Sequence, residues 1–303
     1  MSALDATAHS LTRLSLNSNL LTIVPKALSN LNYLQSLYLQ NNHITDIRWL
    51  PQNSKLGILS LSYNYIWNAS QLSEVLRPYG TSMNSFDIDN NHLTSMPDIS
   101  YMVNVRALQF TRNRLSDPIS GAVASNVFML ELYYNSFPFV PKILSKLPLL
   151  TTIALSNNAI TAIRETDFQR NTTIIELDYN LITELTDTSF PENFALQELN
   201  LNNNPLTKMS SVALKNLPSL TFLDLRSTKL TRLPLGLKYL GGLVVLDLTN
   251  NSLLVCTCAE SSLRAWVMNL NPKNVKGSCG QTGVYNFFSA LSPLCPVSAD
   301  THL

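Results

Sequence analysis

The chain has 303 residues, a formal net charge of +1 and only 14% charged residues. That near-neutral balance leaves no electrostatic footprint for nucleic acid or an acidic lipid surface, so neither is expected as a partner. No apolar run reaches the roughly 18 residues of a membrane helix; the nearest, from Leu240, is interrupted by Asp247 and the Asn250–Asn251 pair.

The opening MSALDATAHS has neither the basic segment nor the apolar stretch of a secretory signal, so an exported protein is expected to carry its signal outside this sequence. From Leu11 a pattern begins: Leu11, Leu14, Leu16, Asn19, Leu21, then Leu34, Leu37, Leu39, Asn42, Ile44. The asparagine recurs at Asn64, Asn91, Asn113, Asn135, Asn158, Asn180, Asn204 and Asn251, and Thr228 takes its place once. This makes eleven copies of LxxLxLxxNxL stepping by 22 to 24 residues, apart from a step of 27 between Asn64 and Asn91. A period and core of this kind mark a leucine-rich repeat. The long step contains QLSEVLRPYG, read as a fuller helix and turn on the outside of the array.

Each LxL pair predicts a short strand with two apolar side chains inward and the intervening residues outward. One copy cannot bury its apolar face alone, so copies stack, and their strands form a parallel sheet on the concave side of a horseshoe-shaped α/β solenoid. The asparagine amide falls where the chain leaves the strand and satisfies backbone groups there; losing it is expected to cost roughly 1–3 kcal/mol. Thr228, with fewer hydrogen bonds to offer, predicts a local weak point.

All four cysteines follow the last repeat, as Cys256, Cys258, Cys279 and Cys295. Between them, residues 261–269 read as an amphipathic helix, with Leu263, Trp266, Val267 and Leu270 suited to lie on the open end of the array. The domain reading is therefore an N-terminal remnant at 1–10, a solenoid at 11–253, a cysteine-rich cap at 254–296 and a tail at 297–303. Two disulfides would staple the cap, each stabilising by roughly 2–4 kcal/mol. A zinc tetrathiolate competes for the same four residues, although the CxC spacing is not the usual CxxC.

The CxC pair, the Trp-bearing helix and the two later cysteines resemble the C-terminal flanking module of extracellular leucine-rich-repeat proteins, over about residues 253–296. That resemblance implies pairing of Cys256 with Cys279 and of Cys258 with Cys295, and an extracellular or cell-surface location. The sequons at Asn68, Asn171 and Asn250 are compatible with it as glycosylation candidates. The matching N-terminal flank is missing before Leu11, so the chain reads as part of something longer. The family further implies a receptor ectodomain, ahead of a membrane helix and a kinase domain in some members. A secreted binder (matrix component, adhesin or enzyme inhibitor) is the second reading, and an intracellular scaffold the third.

The outward residues of the strands are where a ligand would sit. The residue between the last two leucine positions forms a column: Ser15, Tyr38, Ser60, Asp87, Gln109, Glu131, Ala154, Glu176, Asn200, Asp224 and Asp247. Five acids in so weakly charged a chain predict a locally negative strip. Tyrosine and arginine are enriched at binding hot spots. The predicted protein or peptide site centres on Glu131, Tyr133 and Tyr134, with Asp87, Asp89, Arg106, Gln109, Arg112, Glu176, Asp178 and Tyr179 around it.

No catalytic constellation accompanies it. His43 and His92 share the position after the asparagine but fall two repeats apart, too far to pair, and no phosphate loop, nucleophile motif or metal set is recognisable. No enzymatic activity, cofactor or metal is expected of this segment.

Overall fold

In a computed structural model that describes residues 8–290, the LxL pairs form three-residue strands at the predicted positions. The described residues fall into two units, one ending at Ala154 and the other starting at Leu155. In the first, β1 (Arg13–Ser15), β2 (Ser36–Tyr38), β3 (Ile58–Ser60), β4 (Ser85–Asp87), β5 (Ala107–Gln109), β6 (Met129–Glu131) and β7 (Thr152–Ala154) pair in parallel and in chain order. The second repeats the plan with β8 (Ile174–Glu176), β9 (Glu198–Asn200), β10 (Phe222–Asp224) and β11 (Val245–Asp247). Each unit is thus a solenoid of parallel strands.

The register stacks like on like. Leu37 and Leu59 align with Leu14 and Phe86 on either side, and Leu199, Leu223 and Leu246 follow Ile175. These centres are buried, whereas Leu14 and Leu16 in the first row are only partly covered. Burying a leucine in full stabilises by about 1.5–3 kcal/mol, so the apolar stripe supplies the main driving force.

The asparagines form a ladder that links successive rows. Asn64 is 2% exposed. Its Nδ2 donates to the carbonyls of Leu39, Leu61 and Ser62 at 3.0, 3.0 and 3.2 Å, and its Oδ1 accepts the Ile44 N–H at 2.9 Å. Asn42, Asn91 and Asn204 repeat the pattern, donating to the apolar strand-end residue of their own row (Leu39, Ile88, Leu201) and to that of the preceding row (Leu16, Leu61, Leu177). Thr228 does not: its hydroxyl gives its single proton to Asn251 Oδ1 at 2.7 Å.

The residue before each rung lies in the left-handed region, with φ between 50° and 60° from Ser18 to Asn250. Asparagine tolerates this turn away from the strand readily, and bulky residues only with strain. Tyr63, Arg112, Tyr134 and Tyr179 nevertheless occupy it.

The long step folds as expected, into α1 (Ala69–Val75) followed by a 3-10 turn at Arg77–Tyr79. Asn68 caps α1, its Oδ1 accepting the Gln71 N–H at 2.9 Å. The cap departs from the expected single helix over 261–269. A 3-10 segment, Cys258–Leu263, leads into α2 (Arg264–Met268), and Leu270 is only partly buried. The difference comes from Thr257 and Glu260, whose capping box starts the helical stretch at Cys258, three residues before the predicted start.

Glu260 is also buried against Arg232, 2.5 Å from its guanidinium. Leu263 and Val267 face inward with Val284 and Phe288 of α3 (Val284–Ala290), and Trp266 Nε1 donates to the Leu240 carbonyl at 3.0 Å. The cap adds a strand of its own, β12 (Val275–Lys276), beside β11. Cys256 and Cys279 are joined, with Cα atoms 5.3 Å apart, so these two thiols are not zinc ligands. The second expected bridge involves Cys295, which lies outside the described residues.

Candidate functional site

Strand register decides which outward residues meet. In the first unit Ser60, Asp87, Gln109 and Glu131 stand side by side as the sequence column requires. Gln109 Nε2 donates to Glu131 Oε2 at 2.9 Å, and the Ser60 hydroxyl to Asp87 Oδ2 at 3.0 Å. Two residues further along, Asp89 accepts the Thr111 N–H at 2.7 Å. Burial pushes the Asp89 carboxyl up to about 6. The Thr111 N–H opposes the shift, while repulsion from Asp87 and Glu131 adds to it. Asp89 is therefore half-protonated near pH 6 and mostly ionised at neutral pH, where its charge is available to a cationic group.

Tyr133 and Tyr134 meet edge to face with ring centroids 5.9 Å apart, and the Arg112 guanidinium lies 4.8 Å from the Tyr134 ring. Burial also raises the Tyr133 phenol, so it stays neutral as a donor. Tyr134 is 46% exposed despite its left-handed backbone. The structure thus brings together Asp87, Asp89, Gln109, Arg112, Glu131, Tyr133 and Tyr134. Arg106 stands apart: it precedes β5, is exposed, and lies outside the outward columns of the strands.

In the second unit the acids are engaged. Asp178 accepts from the Ser156 hydroxyl and from Asn200 Nδ2. Asp224 is 1% exposed and holds Arg226 through Nε and Nη2, and Lys276 of β12 reaches Asp247 at 3.5 Å. The locally negative strip read from the sequence is therefore neutralised at Asp224 and Asp247, where Arg226 and Lys276 reach the column. Asp178, Tyr179 and Arg226 border an open depression of ≈ 540 Å³ floored by Asn200 and Asn202. Glu176 is exposed in the column itself.

One grouping escaped the sequence reading. His43 and His92 do not touch, but Tyr65 from the intervening repeat lies stacked between them, at 5.3 and 5.2 Å. The signal was present: Tyr65 follows Asn64 at the phase that His43 and His92 occupy after Asn42 and Asn91.

Residues 170–230 match the family described as Leucine rich repeat. Podocan of Mus musculus is 33% identical over 247 residues, a stretch that covers 78% of this chain and 36% of podocan. Lumican of Homo sapiens is 28% identical over 158 residues, covering 44% of this chain and 46% of lumican. The chain spans less than half the length of either relative. Among solved structures, the leucine-rich repeat domain of APL1 aligns at 20% identity with a TM-score of 0.69, covering 98% of this chain and 76% of that one. A chain from the octameric complex of latrophilin 3, Unc5D and FLRT2 aligns at 19% identity with a TM-score of 0.68, covering 96% and 91%. At such identities these likenesses show the fold alone.

Proposed function

Because the chain is a leucine-rich-repeat protein, we propose that the outward sheet face of its first unit docks a protein or peptide ligand, centred on Glu131, Tyr133 and Tyr134. The observation that carries this reading is the left-handed backbone under Tyr134 and Arg112. Asparagine relieves that strain in other rows, at Asn41 and Asn90, yet here exposed, bulky side chains occupy it. Backbone strain kept under bulky, exposed groups supports a binding role.

The chemistry of this face supports a basic ligand. Asp87, Asp89 and Glu131 favour a lysine or arginine, and the two tyrosine rings favour an apolar or aromatic neighbour beside it. Glu176, Asp178 and Tyr179 supply a further, smaller contact area on the second unit, and Arg106 a peripheral one. The Cys256–Cys279 bridge supports an oxidising, extracellular setting, with a receptor ectodomain as the first reading and a secreted binder as the second. Solved structures with this fold occur in protein complexes, LRIM1/APL1C and Toll–Spatzle among them, which supports a protein ligand.

The test uses peptides selected from a displayed random library on the intact chain. Those that bind should pair a basic residue with an aromatic or aliphatic one. The double variant Glu131→Lys, Tyr133→Ala should weaken them by at least about tenfold, 1.4 kcal/mol. Equal affinity for the wild type and the double variant would remove this face from consideration.

A further inference from the structure

The residue after each ladder asparagine forms a second column, along the edge of the sheet rather than its face. In four successive rows of the first unit it reads His43, Tyr65, His92 and Arg114. Their N–H groups donate to the carbonyls of Leu21, Ile44, Ile66 and Leu93 at 2.8, 2.9, 2.8 and 2.8 Å. This sets successive side chains about one strand spacing apart, roughly 4.8 Å, which is also a ring-stacking distance. Hence the Tyr65 ring is nearly parallel to both imidazoles, at 22° and 15°.

The fold does not require aromatic or basic groups at this phase, since Ser136 and Leu181 make the same backbone bond elsewhere. The stack borders a depression of ≈ 590 Å³, within the range of about 300–1,000 Å³ typical of small-ligand sites. Arginines and histidines line it, with no carboxylate among the lining residues. The amides of Asn41 and Asn90 stand on its border, and His43 Nδ1 is buried with no hydrogen-bond partner among the described residues.

We propose that this edge binds an anionic saccharide. Arg114 is exposed and suited to a sulfate or carboxylate through its planar fork of donors. Sugar hydroxyls both donate and accept, which matches the amides and imidazoles. Tyr63 and Tyr65, 52% and 45% exposed, offer aromatic surface to the C–H face of a sugar ring. An acidic peptide provides the anion but not the dense array of hydroxyls, and it is the rival that the experiment separates.

The experiment is calorimetric titration of the intact chain with a sulfated heparin disaccharide, its desulfated counterpart and a hexaglutamate peptide. The sulfated sugar should bind at least about tenfold more tightly than either of the others. Arg114→Glu, on an exposed side chain, should abolish that preference, and Tyr65→Ala should weaken binding. Lys146→Glu, the same charge change on the exposed end of the 3-10 turn Leu144–Lys146, should leave it intact. Absence of binding, equal or tighter binding of hexaglutamate, or affinity that survives Arg114→Glu would each overturn the proposal.

Discussion

Replacing Asn64 by alanine tests whether the ladder, rather than the leucines alone, holds successive rows together. The substitution leaves the buried Ile44 N–H without the Oδ1 it donates to at 2.9 Å. An orphaned buried donor costs about 1–3 kcal/mol. The carbonyls lose less, because Leu39 still accepts from Asn42 Nδ2 at 3.0 Å and Leu61 from Asn91 Nδ2 at 2.9 Å. Allowing about 1 kcal/mol for the three lost donations together gives a total near 2–4 kcal/mol.

Asn19 is the internal control. It is exposed and, among the described residues, bonds to its own row, to the Leu16 and Asn17 carbonyls, so Asn19→Ala should cost less than about 1 kcal/mol. Urea unfolding followed by circular dichroism measures both. With a slope of about 3 kcal/mol/M for a chain of this size, Asn64→Ala should lower the midpoint by roughly 1 M. Hydrogen exchange at the Ile44 amide should accelerate in the same variant. If the two variants cost the same, or Ile44 remains protected, the leucine stack holds the rows unaided and the ladder argument fails.

Three further outcomes are expected. The Asp89 carboxyl, raised to about 6 in the fold, holds its proton more tightly than in the unfolded chain, so its contribution to stability is full below about pH 4 and declines as pH rises through 6. Asp89→Asn should remove that decline and raise stability at pH 7, by about 1–2 kcal/mol once solvent screening is allowed for, while weakening selected basic peptides. A thermal-melt series from pH 4 to 7 that shows the same slope in both proteins would refute it. Tyr134→Asn relieves a left-handed backbone worth about 1 kcal/mol and gives up the Arg112 contact, worth about 0.5–1 kcal/mol. Stability should hold while peptide binding falls, and a loss beyond about 2 kcal/mol would make Tyr134 a structural residue. Reduction of Cys256–Cys279, which spans 23 residues, should destabilise the cap by about 3 kcal/mol. Trp266 fluorescence should report unfolding there first, and insensitivity to reductant would remove the staple from the account.

The extent to which the site was legible follows from which residues belong to one repeat and which to several. Asp87, Gln109 and Glu131 were placed side by side from their phase alone, and the register agrees. The same phase aligns His43, Tyr65 and His92, and the contact that matters runs through the row between the two histidines. Phase gave no warning that Asp224 would be covered by Arg226, because the salt bridge depends on side-chain direction at a turn. Nor did it reveal that Lys276, beyond the last repeat, would join the acidic column through β12.

The period of leucines and asparagines by itself determined the strands, their parallel order, the inward face and the need for a cap, since each repeat carries an apolar stripe that only its neighbours can bury. Tertiary structure alone decided which outward groups are available. The left-handed turn aims Tyr134 and Tyr179 into solvent, burial lifts the Asp89 carboxyl, hydroxyl and amide donors of adjacent rows hold Asp178, and Arg226 and Lys276 neutralise Asp224 and Asp247. A column of residues follows from spacing, but its charge and exposure follow from what the adjacent rows set beside it.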